Sequence, residues 1–195
     1  MFLEKCTLKD SLMDIPCGTG RMFPTVTSVG FNRIYGADYS SEMLSVCKLN
    51  PLSKKITLSN QDIYNITFSD RYFSVILSSR FLFHCDDQER LFSEFERLIV
   101  PKGYLIFDSL NWSPRTWTKL LSKQLGGKIY TNDTNSINEL AQAHGFKVIC
   151  TQSILIFPSV VYNFIPGFLM RPLKWLESVW PSAFKTKQIW MLKKI

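Results

Sequence analysis

The chain has 195 residues, 46% hydrophobic and 20% charged, which excludes a disordered polymer and provides for a substantial core. Its five scattered cysteines include no C-x-x-C pair. They fit reduced thiols in a cytoplasmic protein without a signal peptide better than a disulfide framework or a zinc site. A net charge of +7 leaves nucleic acid, an anionic membrane and acidic substrates open as partners.

Residues 1–10 provide only a short lead-in. Leu12-Met-Asp-Ile15 reads as a buried strand that Pro16 stops, and Cys17-Gly-Thr-Gly20 as a tight turn that brings backbone close to a ligand. A helix over 21–29 follows, with Gly30 as its C-cap. Strand, glycine turn and helix, with Asp14 at the strand's end, make a small-molecule cradle in an open α/β sheet. A dinucleotide does not suit it, because Phe23 stands where the fingerprint needs a third glycine and would push the helix from the strand. A phosphate loop fails as well, since no Gly-Lys-Ser/Thr follows.

Arg33–Tyr39 is the second expected strand. Asp38 at its end is placed to accept both ribose hydroxyls of an adenosine cofactor, and Ser40 caps the next helix. Strand three is expected over Ile56–Ile63, a polar loop over 64–71, and a doubly buried strand over Tyr72–Ser79. Arg80-Phe-Leu-Phe-His84 comes next, then an amphipathic helix over Asp86–Ile99, ended by Val100-Pro-Lys-Gly103. Strand five is Tyr104–Asp108. Residues 111–133 are mixed, with Trp112, Pro114, Arg115 and Trp117 just past that strand. A helix over Asn135–His144, a strand from Gly145 to Thr151 and an alternating edge strand, Lys187–Lys194, complete the pattern. Alternating strands and helices predict an α/β parallel sheet that binds ligands beyond its carboxyl ends.

Asp14-Ile-Pro-Cys-Gly-Thr-Gly20, Gly36-Ala-Asp-Tyr-Ser-Ser-Glu-Met-Leu44 and Phe95-Glu-Arg-Leu-Ile-Val-Pro-Lys-Gly-Tyr-Leu105 together resemble the motifs of the class I S-adenosylmethionine-dependent methyltransferases. The resemblance covers roughly residues 11–150. It departs at Pro16 and Lys102, where glycine is commoner, and at Ser74, where an Asp is usual. It implies a Rossmann-like three-layer αβα sandwich with a seven-stranded sheet in the order 3-2-1-4-5-7-6, the last strand antiparallel. It also implies S-adenosyl-L-methionine as cofactor, held by Asp14, Pro16, Cys17, Gly18 and Gly20, by Asp38, Tyr39 and Met43, by Asp62 and Ile63 at the adenine, and by Ser78 and Ser79. Arg80 and His84 fall where an acceptor would approach, with His84 the candidate general base. No metal is expected, and His144 reads as structural. Such enzymes usually carry helices before the first strand. Their lack here leaves three expectations: an unusually open site, one covered by a partner chain, or a truncated product.

An apolar, aromatic and proline-rich insert at about 154–182 exceeds the minimal fold. It reads as a lid over an apolar acceptor, an interfacial membrane contact through Trp175, Trp180, Lys174 and Arg171, a homodimer contact, or plain core. The whole chain is expected to be a single domain that methylates a small or amphiphilic, lipid-like acceptor. The alternatives are an RNA methyltransferase, which lacks an Asn/Asp-Pro-Pro-Tyr motif here, and a non-catalytic binding module.

Overall fold

Strands whose residues are apolar in unbroken runs belong where both faces are covered. Leu12, Met13, Val75, Ile76 and Leu105 are shielded from solvent, and their strands form the middle of the sheet. The computed structural model describes residues 2–112, 128–154, 165–181 and 185–195. Its strands are β1 (Ser11–Asp14), β2 (Arg33–Asp38), β3 (Thr57–Asn60), β4 (Phe73–Ser78), β5 (Ile99–Leu110), β6 (Phe146–Ile154) and β7 (Lys187–Lys194). They form one seven-stranded sheet in the order β3-β2-β1-β4-β5-β7-β6, as expected. β7 runs antiparallel to both neighbours, while the pairs from β3 to β5 are parallel.

Two layers flank the sheet because successive strand residues point to opposite faces. On one face, α1 (Phe23–Ser28) and α2 (Ser41–Lys48) bury Phe23, Val26, Leu44 and Cys47 against Leu12, Val75 and Ile106. On the other, α3 (Gln88–Leu98) and α4 (Thr134–Ala143) bury Leu91, Phe92, Phe95, Ile137 and Leu140 against Met13, Ile76 and Phe107. Each of α2, α3 and α4 begins on a side chain that accepts a backbone N–H: Ser40, Asp87 and Asp133.

Several boundaries depart from expectation. β3 stops at Asn60, since the next residues leave the ladder and turn. Val100-Pro-Lys-Gly103 is not merely a helix stop; it lies within β5, where Ile99 pairs with Phe73 and pairing resumes at Tyr104 after a bulge. Lys102 takes φ +65° there, the left-handed conformation in which glycine is commoner. The lead-in forms a single 3-10 turn, Leu3–Lys5, that buries Phe2, Leu3 and Cys6. It reaches β5 through Thr7 Oγ1 and Tyr104 Oη, 3.0 Å apart, and β6 through Lys5 Nζ and Cys150 Sγ.

Of the expected insert, α5 (Met170–Val179) and its 3-10 entry Gly167–Leu169 are described. Residues 155–164, together with Pro114, Arg115 and Trp117, lie outside the described residues. No helix among the described residues is long and apolar enough to cross a membrane.

Candidate active site

The glycine turn is shaped by what its neighbours leave room for. Gly20 sits at φ +82°, and a Cβ there would stand 2.8 Å from the ring of Phe23 and 3.2 Å from Cys47 Sγ. Gly36, on β2, faces the same ring; its Cβ would meet Phe23 at 3.4 Å and Leu58 at 2.9 Å. Two glycines therefore house the phenyl group, and α1 packs on the sheet without being displaced. The expectation that Phe23 would push the helix away is corrected on that ground. Gly18 also has positive φ, +56°, and a Cβ there would project into open space.

Two carboxylates converge on this turn. Asp38 Oδ2 accepts the N–H of Gly18 at 2.8 Å, and Oδ1 accepts that of Ser40 at 3.0 Å. Asn60 donates to the carbonyls of Asp38 and Tyr39, which holds the tip of β2 in place. Asp14 lies beneath the turn, 1% exposed, and neither of its oxygens has a hydrogen-bond partner. Burial pushes its carboxyl up to about 7, with Arg21 opposing and the negative charge of Asp38 adding to the rise. A buried carboxylate without a partner costs stability in the empty site, and a cationic ligand group placed beside it removes that cost.

Above these groups a groove of about 350 Å³ is lined by Pro16, Gly18, Asp38, Met43, Ser79, Arg80 and His84, among the expected residues, and by Thr19 and Arg21. Arg21 bridges it, its Nη2 3.4 Å from Ser79 Oγ. Arg80 has φ +63°, with its N–H donated to Asp108 Oδ1. His84, on a 3-10 turn (Leu82–His84), is exposed at the rim.

The other expected residues, the buried Asp14 and Gly20 among them, are not part of this lining. Cys17 is buried against Cys47, and both burial and its thiol neighbour push its pKa well above the ordinary range. Tyr39 is 77% exposed and outside the lining. Asp62 Oδ1 accepts the N–H of Tyr64 at 2.9 Å and so closes a turn, while Ile63 packs in the core with Met13, Ile15 and Ala37. Ser78 is buried with its hydroxyl unpartnered, and it lines a second cavity rather than the groove. His144, 2.8 Å from Glu89, is not part of the groove's lining.

That second cavity, of about 320 Å³, was not anticipated from sequence. Phe2, Leu3, Met22, Leu77, Ile106 and Ile189 supply apolar walls, and Ser78, Ser79, Asp108, Gln152 and Lys187 supply polar ones. Ser79 belongs to both cavities, so they adjoin. No local signal in the chain could have joined Phe2 to Lys187, which are far apart in sequence and share a wall of this cavity only in the folded chain.

A family model described as "Methyltransferase domain" matches residues 13–107, the stretch that carries β1, the glycine turn and β2 to β5. Just under half of the chain is thus similar to a methyltransferase domain. Among curated proteins, the chain is 27% identical over 109 residues to the ubiquinone biosynthesis O-methyltransferase of Paraburkholderia phymatum, covering 54% of this chain and 47% of that protein. The enzyme of the same name from Colwellia psychrerythraea is 24% identical over 159 residues, covering 73% of this chain and 63% of that one. The chain thus spans less than two thirds of either relative. In fold it is similar to an S-adenosylmethionine dependent methyltransferase from Mesorhizobium loti, with TM-score 0.72, 15% identity and coverage of 98% of this chain and 95% of that one.

The residues present fit S-adenosyl-L-methionine, the cofactor of the enzymes this fold is similar to. The unpartnered Asp14 carboxylate suits an ammonium group, the open space over Gly18 admits a ligand against backbone, and Asp38 faces the same groove. Among the described residues no cluster of three or more His, Cys, Asp and Glu is placed to hold a metal.

Proposed function

We propose that this chain transfers a methyl group from S-adenosyl-L-methionine to a small or amphiphilic acceptor. The observation that carries the reading is the adjoining of the two cavities at Ser79: a groove over the glycine turn beside a largely apolar chamber. Bound, the cofactor supplies a sulfonium methyl, and the protein's task is alignment, worth several kcal/mol by itself. Asp14 holds the amino-acid end of the cofactor. Asp38 has lone pairs beyond those bonded to Gly18 and Ser40, and these accept the ribose hydroxyls. His84, at the groove's rim, removes the proton of an oxygen or nitrogen acceptor, and Arg80 flanks it. That the curated relatives are named O-methyltransferases supports an oxygen acceptor.

The test is calorimetry with S-adenosylmethionine, followed by a metabolite screen for methylated products with the chain present or absent. Heat that disappears in Asp38→Ala, together with a methylated product, supports the reading. Wild-type protein that gives no heat, or binds without any product, leaves a non-catalytic module instead.

A second observation supports contact with an anionic membrane. On α5 and its entry Phe168, Trp175 and Val179 are strongly exposed, beside Arg171 and Lys174. Sedimentation with anionic vesicles, weakened by Trp175→Ala with Phe168→Ala, is the expected result. If only self-association changes in that variant, the face is a dimer contact.

A further inference from the structure

The chamber beside the groove has a charged end. Lys187, at the start of β7, forms an ion pair with Asp108, near the end of β5; their side chains are 18% and 6% exposed. A buried pair of this kind is weak evidence for a stabilising role, since apolar replacements of similar volume often serve as well. The two partners differ in what they have left to offer. Asp108 is engaged at both oxygens, by the N–H of Arg80 at Oδ1 and by Lys187 at Oδ2. An ammonium has three donors, and Asp108 is the one ion-pair partner of Lys187 among the described residues. Gln152 and the buried, unpartnered hydroxyl of Ser78 line the same chamber. The fixed charge with bonding capacity at this end is therefore positive, and the walls leading to it, among them Met22, Ile106 and Ile189, are apolar.

We propose that the chamber binds an apolar molecule bearing an acidic oxygen, a carboxylate or phenolate, which Lys187 anchors while Asp108 holds Lys187 in place. The assignment rests on the methyl-transfer reading in making this molecule the acceptor. Arg80 receives its left-handed backbone from the same Asp108, so the anchor and the rim of the cofactor groove share one support. An acceptor seated on Lys187 then lies against Ser79, where the groove begins. Lys187 is a positioning residue in this scheme.

The test uses the full chain and two matched probes, 4-butylbenzoate and the neutral 4-butylbenzamide, in calorimetry. Benzoate is expected to bind at least about tenfold more tightly, with Lys187→Met reducing the difference to about twofold and Lys187→Arg retaining most of it. Because Lys187→Met leaves Asp108 buried and uncompensated, the double variant Asp108→Asn with Lys187→Met is measured beside it and shows the same loss. In protein labelled at its methionine methyl groups, the Met22 signal shifts with benzoate. Equal affinities, no binding of either probe, discrimination that survives the double variant, or an unmoved Met22 signal overturns the assignment. S-adenosylhomocysteine binding is followed in the same samples. A chain that binds it without discriminating the probes loses this assignment alone, and one that discriminates without binding it keeps the anchor and loses the methyl-transfer reading.

Discussion

Asp38 Oδ2 accepts the backbone N–H of Gly18 at 2.8 Å, so one carboxylate ties the tip of β2 to the turn after β1. The bond is charge-assisted and sits in a site only 8% exposed at Asp38. Asp38→Ala removes both of its backbone bonds and is expected to cost about 2–4 kcal/mol in urea unfolding. Asp38→Asn keeps one acceptor oxygen and is expected to cost about half as much, while still weakening binding of S-adenosylmethionine.

The two glycines of the turn separate stability from binding. Gly20→Ala meets both a left-handed φ and the Phe23 ring, and a loss of about 2–4 kcal/mol is expected by thermal or urea unfolding. Gly18→Ala meets only the φ penalty, about 1 kcal/mol, but points its methyl into the groove. Its folding is expected to survive and its cofactor affinity to fall. A Gly18→Ala chain with unchanged affinity would show that the ligand does not lie against this turn.

Phe23 is wholly buried and fills the space left by Gly20 and Gly36. Phe23→Ala is expected to cost about 3–5 kcal/mol, because rigid backbone on both sides cannot collapse into the cavity. Phe23→Gly, which restores the spacing of a dinucleotide fingerprint, is expected to be worse still and to gain no affinity for NAD.

Asp14 makes stability fall with rising pH. Its carboxyl lies at about 7 in the folded chain against 3.8 for an exposed one, so folding favours the protonated form. That contribution is complete below about pH 4 and is lost as pH rises through about 7. The urea midpoint is expected to drop across this window in wild type and to stay nearly level in Asp14→Asn. A wild-type profile parallel to that of the variant would show that Asp14 does not carry the dependence.

Arg97 clamps the loop before β4. Its guanidinium donates to the carbonyls of Ile66 and Phe68 at 2.8 and 2.9 Å, and it pairs with Glu94 and Asp70 at 2.7 Å each. Glu94 in turn accepts the N–H of Ile66. Arg97→Ala is expected to destabilise by about 2–4 kcal/mol, and Arg97→Lys to recover less than half, since a point charge cannot reach the planar set of partners. Hydrogen exchange at Ile66 is expected to rise in both variants.

Local pattern was enough for much of the sheet. The limits of the strand Lys187–Lys194 agree with those read from sequence, but it is not the expected edge strand: it lies between β5 and β6, which pair with it on both sides. Asp38 and Gly18 were legible because strand ends and tight turns leave marks in neighbouring residues. The end of β3 was not, because an Asp ending a strand and an Asp starting an Asx turn look alike until the ladder is seen to stop at Asn60. Lys102 concealed its strand for a related reason: a left-handed residue inside a bulge has the sequence of a turn.

The chain's own order of residues determined the αβ alternation, the glycine turn and the acidic tips, since each depends on groups a few positions apart. Only the tertiary structure decided that Phe23 fits between Gly20 and Gly36, that Asp14 is left without a partner, and that Phe2 shares a chamber with Lys187 and Asp108. Those facts depend on which strands lie side by side. Strands side by side, such as β1 with β4 and β5 with β7, are far apart along the chain, and no local propensity records which of them will meet.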